Sequence, residues 1–242
     1  MDPLPVRRIE RRQDASLPSD QWPLTLAPIA KLLELGLDLS PSTVLIGENG
    51  AGKSTLIEAV AMAYGLSREG GSTGARHSTY ASESPLHEAM TLVRGAGASR
   101  WGYFLRAETT HGLFTYLRAN PGRRPEPDFH AMSHGESFLA MLASERFNDK
   151  GLFILDEPEA GLSFTAQLAL VGSLHALTRL PGRQVLLATH SPVLAALPAA
   201  TILQLDDAGI RETCWEDLDV VDHYRRFLDA PQRYLRHILD EG

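Results

Sequence analysis

The sequence is poor in several things, and each scarcity removes a class of protein. It has a single cysteine, Cys214. A disulfide framework and a zinc site built from several cysteines are therefore excluded. Its longest apolar runs fall short of the roughly 18 residues that cross a bilayer. The opening MDPLPVRRIERR lacks the apolar segment of a secretory signal, so a cytoplasmic protein with no direct membrane insertion is expected. Positive charge is also short: the 242 residues carry a formal net charge of -7, which gives no overall basic footprint for nucleic acid. The one candidate basic patch is Arg7, Arg8, Arg11 and Arg12, and such runs ordinarily face water or guard a sheet edge. No internal repeat, low-complexity tract or sustained heptad pattern is present.

What the chain does have is a hydrophobic fraction of 43%, enough for one substantial core. Short β-rich apolar runs alternate with helical patterns. Strands are expected at Val6–Arg11, Thr43–Ile46, Trp101–Arg106, Leu152–Leu155 and Val185–Ala188, with a hairpin at Ile202–Leu205 and Ile210–Glu212. Helices are expected at Ile29–Leu35, Ser54–Tyr64, Leu86–Val93, Glu136–Arg146, Phe164–Leu180 and, as one or two segments, Tyr224–Leu239. Gln13–Pro28 and Arg68–Ser84 read as loops, and Pro121–Pro127 as a turn. The alternation implies an α/β fold with a mainly parallel sheet covered by helices on both faces. Ligands of such sheets sit at the carboxyl ends of the strands.

Three motifs fall just after expected strands. The first is Gly47-Glu48-Asn49-Gly50-Ala51-Gly52-Lys53-Ser54-Thr55, which fits G-x-x-x-x-G-K-[ST] between a strand and a helix. Its glycines let backbone amides wrap phosphate oxygens, and the helix N-terminus faces the same anion. Lys53 would neutralise β and γ phosphates, and Ser54 would offer its hydroxyl to Mg²⁺. The second is Leu152–Leu155 followed by Asp156 and Glu157. Phosphoryl transfer to water needs a held metal and a group that orients the attacking water. Asp156 suits the first task and Glu157 the second. The third is Thr189-His190-Ser191, again directly after a strand.

Together these resemble the ATP-binding-cassette (ABC) ATPases. Ser133-His134-Gly135-Glu136-Ser137 resembles that family's signature motif, 23 residues before Asp156 (156 − 133). Asp156-Glu157-Pro158 and Glu159–Ser163 look like its Walker B segment and D-loop, and His190 like its switch histidine. The phrases PLHEAM, GYFLRAET, SHGESF, LDEPEAGLS and RYLRHIL make the chain similar to a group of small stand-alone bacterial ATPases of the AAA/ABC type. The resemblance implies a P-loop NTPase fold with a small helical lobe, roughly 66–146, inserted in a single domain over 1–242. It implies ATP and Mg²⁺ as ligands and an ATP-dependent head-to-tail homodimer. In such a dimer Ser133 and Gly135 contact the γ phosphate from the opposite subunit, and His190 contacts it from the same one.

Departures are visible too. The signature reads SHGES rather than LSGGQ. No Q-loop glutamine appears between Lys53 and Ser133, and Glu108, just after a strand, is the candidate substitute there and as a metal ligand. The residue that stacks on adenine is Trp22 or Tyr80, either of which also suits ordinary packing. Only 80 residues separate Lys53 from Ser133 (133 − 53), too few for the long coiled coil of an SMC or Rad50-type protein. A soluble ATPase serving DNA repair, defence or another cytosolic process is expected, with a nucleic-acid or protein partner unidentified. The ATPase subunit of a membrane transporter and a non-hydrolysing nucleotide sensor are the alternatives.

Overall fold

In the computed structural model, residues 3–15, 18, 20–73, 85–120 and 127–239 are described. Tyr80, the greater part of the loop expected at Arg68–Ser84 and most of the turn expected at Pro121–Pro127 lie outside them.

The strands are β1 (Arg8–Arg11), β2 (Leu37–Asp38), β3 (Ser42–Ile46), β4 (Gly71–Ser72), β5 (Met90–Val93), β6 (Gly102–Arg106), β7 (Gly151–Asp156), β8 (Arg183–Thr189), β9 (Thr201–Asp206) and β10 (Gly209–Thr213). The helices are α1 (Ala27–Leu35), α2 (Lys53–Tyr64), α3 (Thr110–Ala119), α4 (His134–Leu142), α5 (Phe164–Thr178), α6 (Pro192–Ala195), α7 (Asp219–Asp229) and α8 (Pro231–Leu239).

Seven strands form the main sheet in the order β10-β9-β3-β8-β7-β6-β4. The five inner strands run parallel, and the outer pairings, β10 with β9 and β4 with β6, are antiparallel. Alternation along these strands divides the core in two, because successive side chains point to opposite faces. Val44, Ile46, Tyr103, Leu105, Phe153, Leu155, Val185 and Leu187 face α3–α7. Leu45, Phe104, Leu152, Ile154, Leu186 and Ala188 face α2, α1 and β1. Strands covered on both faces read as continuous apolar runs, as β7 does, with all six residues buried.

A second, three-stranded sheet has the order β2-β1-β5 and is antiparallel. Buried Gln184 of β8 ties it to the main sheet. Its Oε1 accepts the Val6 amide at 2.9 Å, and its Nε2 donates to the carbonyls of Val6 at 2.7 Å and Ser40 at 3.0 Å.

Two local expectations are corrected here. Leu86–Val93 is not a helix: a single 3₁₀ turn over Pro85–Ala89 leads into β5, whose four residues all pair with β1. Pairing with an available strand outweighs a weak local helix pattern, and Thr91 and Val93 are β-branched. The arginines on β1 do not guard an edge, since β1 is the middle strand of its sheet; Arg8 is paired with Asp38 at 2.8 Å and Glu10 at 3.0 Å. No described helix is long and apolar enough to cross a membrane.

Candidate nucleotide site

The P-loop joins the carboxyl end of β3 to the first turn of α2. Gly52 holds φ 91, in the left-handed region where a Cβ is strained, and a Cβ there would press on Leu26 of the α1 entry at 3.1 Å. Gly47 has no room for a side chain because the Leu205 carbonyl of β9 passes directly over it. Both glycines are thus required by the way the loop turns and packs. Inside the loop the Lys53 amine is buried and donates to the carbonyls of Gly47 at 2.8 Å and Glu48 at 2.9 Å. Burial lowers its pKa, opposed by the nearby carboxylates of Glu157, Asp156 and Glu159. The amine thus folds back onto the loop's own backbone.

Ser54, the second residue of α2, donates to Oδ1 of Asp156 at 3.1 Å. Asp156 ends β7 and is 3% exposed. Burial pushes its carboxyl up to about 6, against the pull of Arg106 and the Ser54 hydrogen bond. A hydroxyl and a carboxylate, oxygen donors both, suit a hard cation such as Mg²⁺. Glu157 follows with φ 47, a left-handed conformation that non-glycine residues adopt at a cost. Its amide still bonds to the Ala188 carbonyl of β8 at 2.9 Å, which fixes the turn. This turn brings Glu157 Oε1 to 3.9 Å from Lys53 Nζ and 3.9 Å from His190 Nδ1.

His190 follows β8 and is half exposed. Its loop is held by a residue that sequence reasoning treated only as part of the D-loop. Glu159, 6% exposed, accepts from Thr189 Oγ1 at 2.5 Å, from the amide of His190 at 2.8 Å and from that of Ser191 at 3.2 Å, all on Oε1. The same oxygen lies 3.3 Å from His190 Nδ1. Ser191 then caps α6 and donates to Gln167 of α5 at 2.6 Å.

A cavity of about 880 Å³ opens beside the loop, between Gly47–Ala51, His190, the end of β9 and the start of α7. Its volume is of the size that holds a nucleotide-sized ligand. Trp22 is 57% exposed and is not part of this lining, whereas Tyr224 of α7 is. Nothing in the sequence around Tyr224 distinguished it from an ordinary residue of the closing helices.

Ser133 caps α4. Its hydroxyl is 2.6 Å from Oε2 of Glu136, its amide donates to the same oxygen at 2.9 Å, and its Oγ accepts the Glu136 amide at 3.4 Å. This reciprocal capping box leaves Ser133 exposed at a helix N-terminus, with Gly135 in the first turn. The Ser133 hydrogen bonds hold the Glu136 carboxyl below its usual range. Glu108 lies in the short turn after β6, largely exposed, and its carboxylate is 3.2 Å from Arg106.

Comparison with known proteins agrees with this geometry. Residues 99–196 match a family profile described as "AAA domain, putative AbiEii toxin, Type IV TA system", and residues 30–90 match one described as "AAA domain". The zinc import ATP-binding protein ZnuC of Vibrio cholerae is 30% identical over 164 residues, covering 65% of this chain and 60% of that protein. The cytochrome c biogenesis ATP-binding export protein CcmA of Gluconobacter oxydans is 29% identical over 66% of this chain and 74% of its own length. A solved structure, "An inward-facing conformation of a putative metal-chelate type ABC transporter", superposes with a TM-score of 0.51 at 15% identity, over 90% of this chain and 85% of that one, and shows a shared fold.

The chain has the fold of an ABC-type P-loop ATPase and is similar in sequence to ABC-type ATP-binding proteins, spanning about 60% of the length of ZnuC. In this fold the P-loop, the Asp156-Glu157 pair and His190 converge at one rim of the sheet. Ser133 and Gly135 stand on α4 with Glu136 filling the helix N-terminus.

Proposed function

We propose that this chain is an ABC-type ATPase that binds Mg²⁺-ATP at the β3–α2 loop and hydrolyses it with Glu157 as the base. One arrangement supports the reading above all: the turn after β7 puts Glu157 within 3.9 Å of Lys53 and of His190, while Asp156 beside it meets Ser54 at 3.1 Å. Lys53 would release the Gly47 and Glu48 carbonyls and take up β and γ phosphate oxygens. Mg²⁺, held by Ser54 and Asp156, would draw charge from the same oxygens. Glu157 would accept the proton of a water as its oxygen bonds to the γ phosphorus and the bond to the β-γ bridging oxygen breaks. His190, pinned by Glu159, would face the γ phosphate.

The reading extends to assembly. Ser133 and Gly135 lie at the N-terminus of α4, an anion-binding end where the Glu136 carboxylate would have to give way to an incoming γ phosphate. A second copy placed head to tail would bring that end to the γ phosphate, so the working unit is an ATP-dependent homodimer with each site shared. Residues 1–242 act as one domain, with the 66–146 span carrying the signature. Glu108, paired with Arg106 at the β6 end, would complete the metal surroundings.

For the setting we favour a cytosolic process such as DNA repair or defence, because Arg106-Ala107-Glu108 stands where a transporter ATPase carries its coupling glutamine. The names of the relatives favour the other setting, an ATPase subunit of a transporter. ATP turnover by the purified chain, lost about 100-fold or more in Glu157→Gln with nucleotide binding retained, tests the chemistry. Co-purification of the Glu157→Gln chain tests the setting: an integral membrane partner assigns it to a transporter. A Glu157→Gln chain that stays monomeric with ATP overturns the shared site.

A further inference from the structure

The last residues of β6 and β7, Arg106 and Asp156, are paired in register. Neighbours in register point to the same face, and here that face carries α2, where Ser54 and Glu58 stand one helical turn apart. The Arg106 guanidinium therefore meets three carboxylates. Its Nη1 donates to Glu58 Oε2 at 2.8 Å, its Nη2 is 3.2 Å from Glu108 Oε2, and its Nε is 3.3 Å from Asp156 Oδ2. The contacts are unequal. Glu58 receives a directed hydrogen bond between two largely buried groups. The Nε hydrogen, though buried, has no acceptor in hydrogen-bond geometry, so its hold on Asp156 is charge attraction alone.

Asp156 is the carboxylate that would hold Mg²⁺, and a cation 3.3 Å from it competes with a second cation. We infer that Arg106 is a positioning residue that serves as a releasable stand-in for the metal: anchored on Glu58, it neutralises Asp156 while the site is empty and yields that carboxylate to Mg²⁺ as Mg²⁺-ATP enters. Glu58 thus sets how firmly Arg106 sits on Asp156. With Glu58 neutral, the guanidinium loses its stronger partner and its charge falls on Asp156. The inference rests on the metal role assigned to Asp156 and Ser54 under the proposed function.

The test is the Mg²⁺ concentration at half-maximal binding of a fluorescent ATP analogue to the full chain. Arg106→Gln is expected to lower it about tenfold and Glu58→Gln to raise it about fivefold, within the range of coupling between adjacent charged groups. In the Arg106→Gln background, Glu58→Gln is expected to change nothing further, because its effect acts through Arg106. Thermal melts in EDTA report folding, and Glu58→Gln decides alone if Arg106→Gln does not fold. An unchanged or raised requirement in Arg106→Gln, an unchanged or lowered one in Glu58→Gln, or additive effects in the double variant would each overturn the inference. Mg²⁺-dependent binding with unmoved variants sinks this inference alone. A wild-type chain that binds no analogue at any Mg²⁺ concentration sinks it together with the proposed reaction.

Discussion

Glu159 holds His190 from two directions: its Oε1 accepts the histidine's backbone amide at 2.8 Å and lies 3.3 Å from the ring Nδ1. One buried carboxylate on the segment after β7 thereby sets the position of the loop after β8. Replacement by alanine leaves the His190 amide and the Thr189 hydroxyl without their acceptor, while the Ser191 amide keeps Thr189 Oγ1 at 2.9 Å. Each buried donor so orphaned costs about 1–3 kcal/mol. We expect Glu159→Ala to lower the melting temperature clearly and to depress ATP turnover as far as His190→Ala does. Turnover at the wild-type rate would show that the loop holds its place without Glu159.

Glu157 makes a separable prediction because its backbone is left-handed at φ 47. Glycine adopts that region freely, while a residue with a Cβ pays about 1 kcal/mol or more. Glu157→Gly should abolish turnover yet melt at least as high as Glu157→Ala, which keeps the strain. A melting point for the glycine variant well below that of alanine would show that the turn carries no strain.

Asp156 links stability to pH. Its carboxyl is raised from 3.8 to about 6, chiefly by burial. A group whose folded pKa exceeds its unfolded one favours the folded state most below the unfolded value, and that advantage is lost as pH rises through the folded value. Metal-free protein should therefore lose stability between pH 4 and about 6 on this account, by up to about 3 kcal/mol if Asp156 acted alone. Asp156→Asn should melt above wild type at pH 7.5 in EDTA and lose that advantage at pH 4. Equal melting points at pH 7.5 would remove Asp156 from the balance.

Ser133 has two tasks that one substitution can divide. Aspartate still accepts the Glu136 amide, but it loses the hydroxyl donated to Glu136 and faces that carboxylate, so Ser133→Asp should lower the melting temperature modestly with α4 retained. It also sets a negative charge where a γ phosphate is proposed to dock. ATP-dependent dimerisation of the Glu157→Gln chain, followed by light scattering, should vanish in the Ser133→Asp double variant. Persistence of that dimer would remove Ser133 from the shared site.

The elements that position the site were legible because they are strongly local. The β3-loop-α2 unit, the β7 run into Asp156-Glu157 and the β8 run into His190 each join an apolar strand to residues whose chemistry is plain in one dimension. The elements that failed were decided by partners distant in sequence. Met90–Val93 became a strand because β1 lay open to it. The helix α3 passed unread: its buried Leu113, Phe114 and Leu117 sit in a short segment that opens on threonines and contains Gly112. Glu159 and Arg106 were passed over for the same reason, since each is defined by residues some 30 to 50 positions away.

The placement of β3 has a consequence for how the chain is made. Both neighbours of this strand, β8 and β9, come from residues 183–206, and Gln184 supplies the tie to Val6 and Ser40. Contacts that close such long stretches of chain form late. During synthesis the strand that carries the phosphate loop stands without a bed until residues 183–206 have left the ribosome. A product cut before residue 183 would therefore contain the whole GENGAGKST segment and yet lack both strands that bed it.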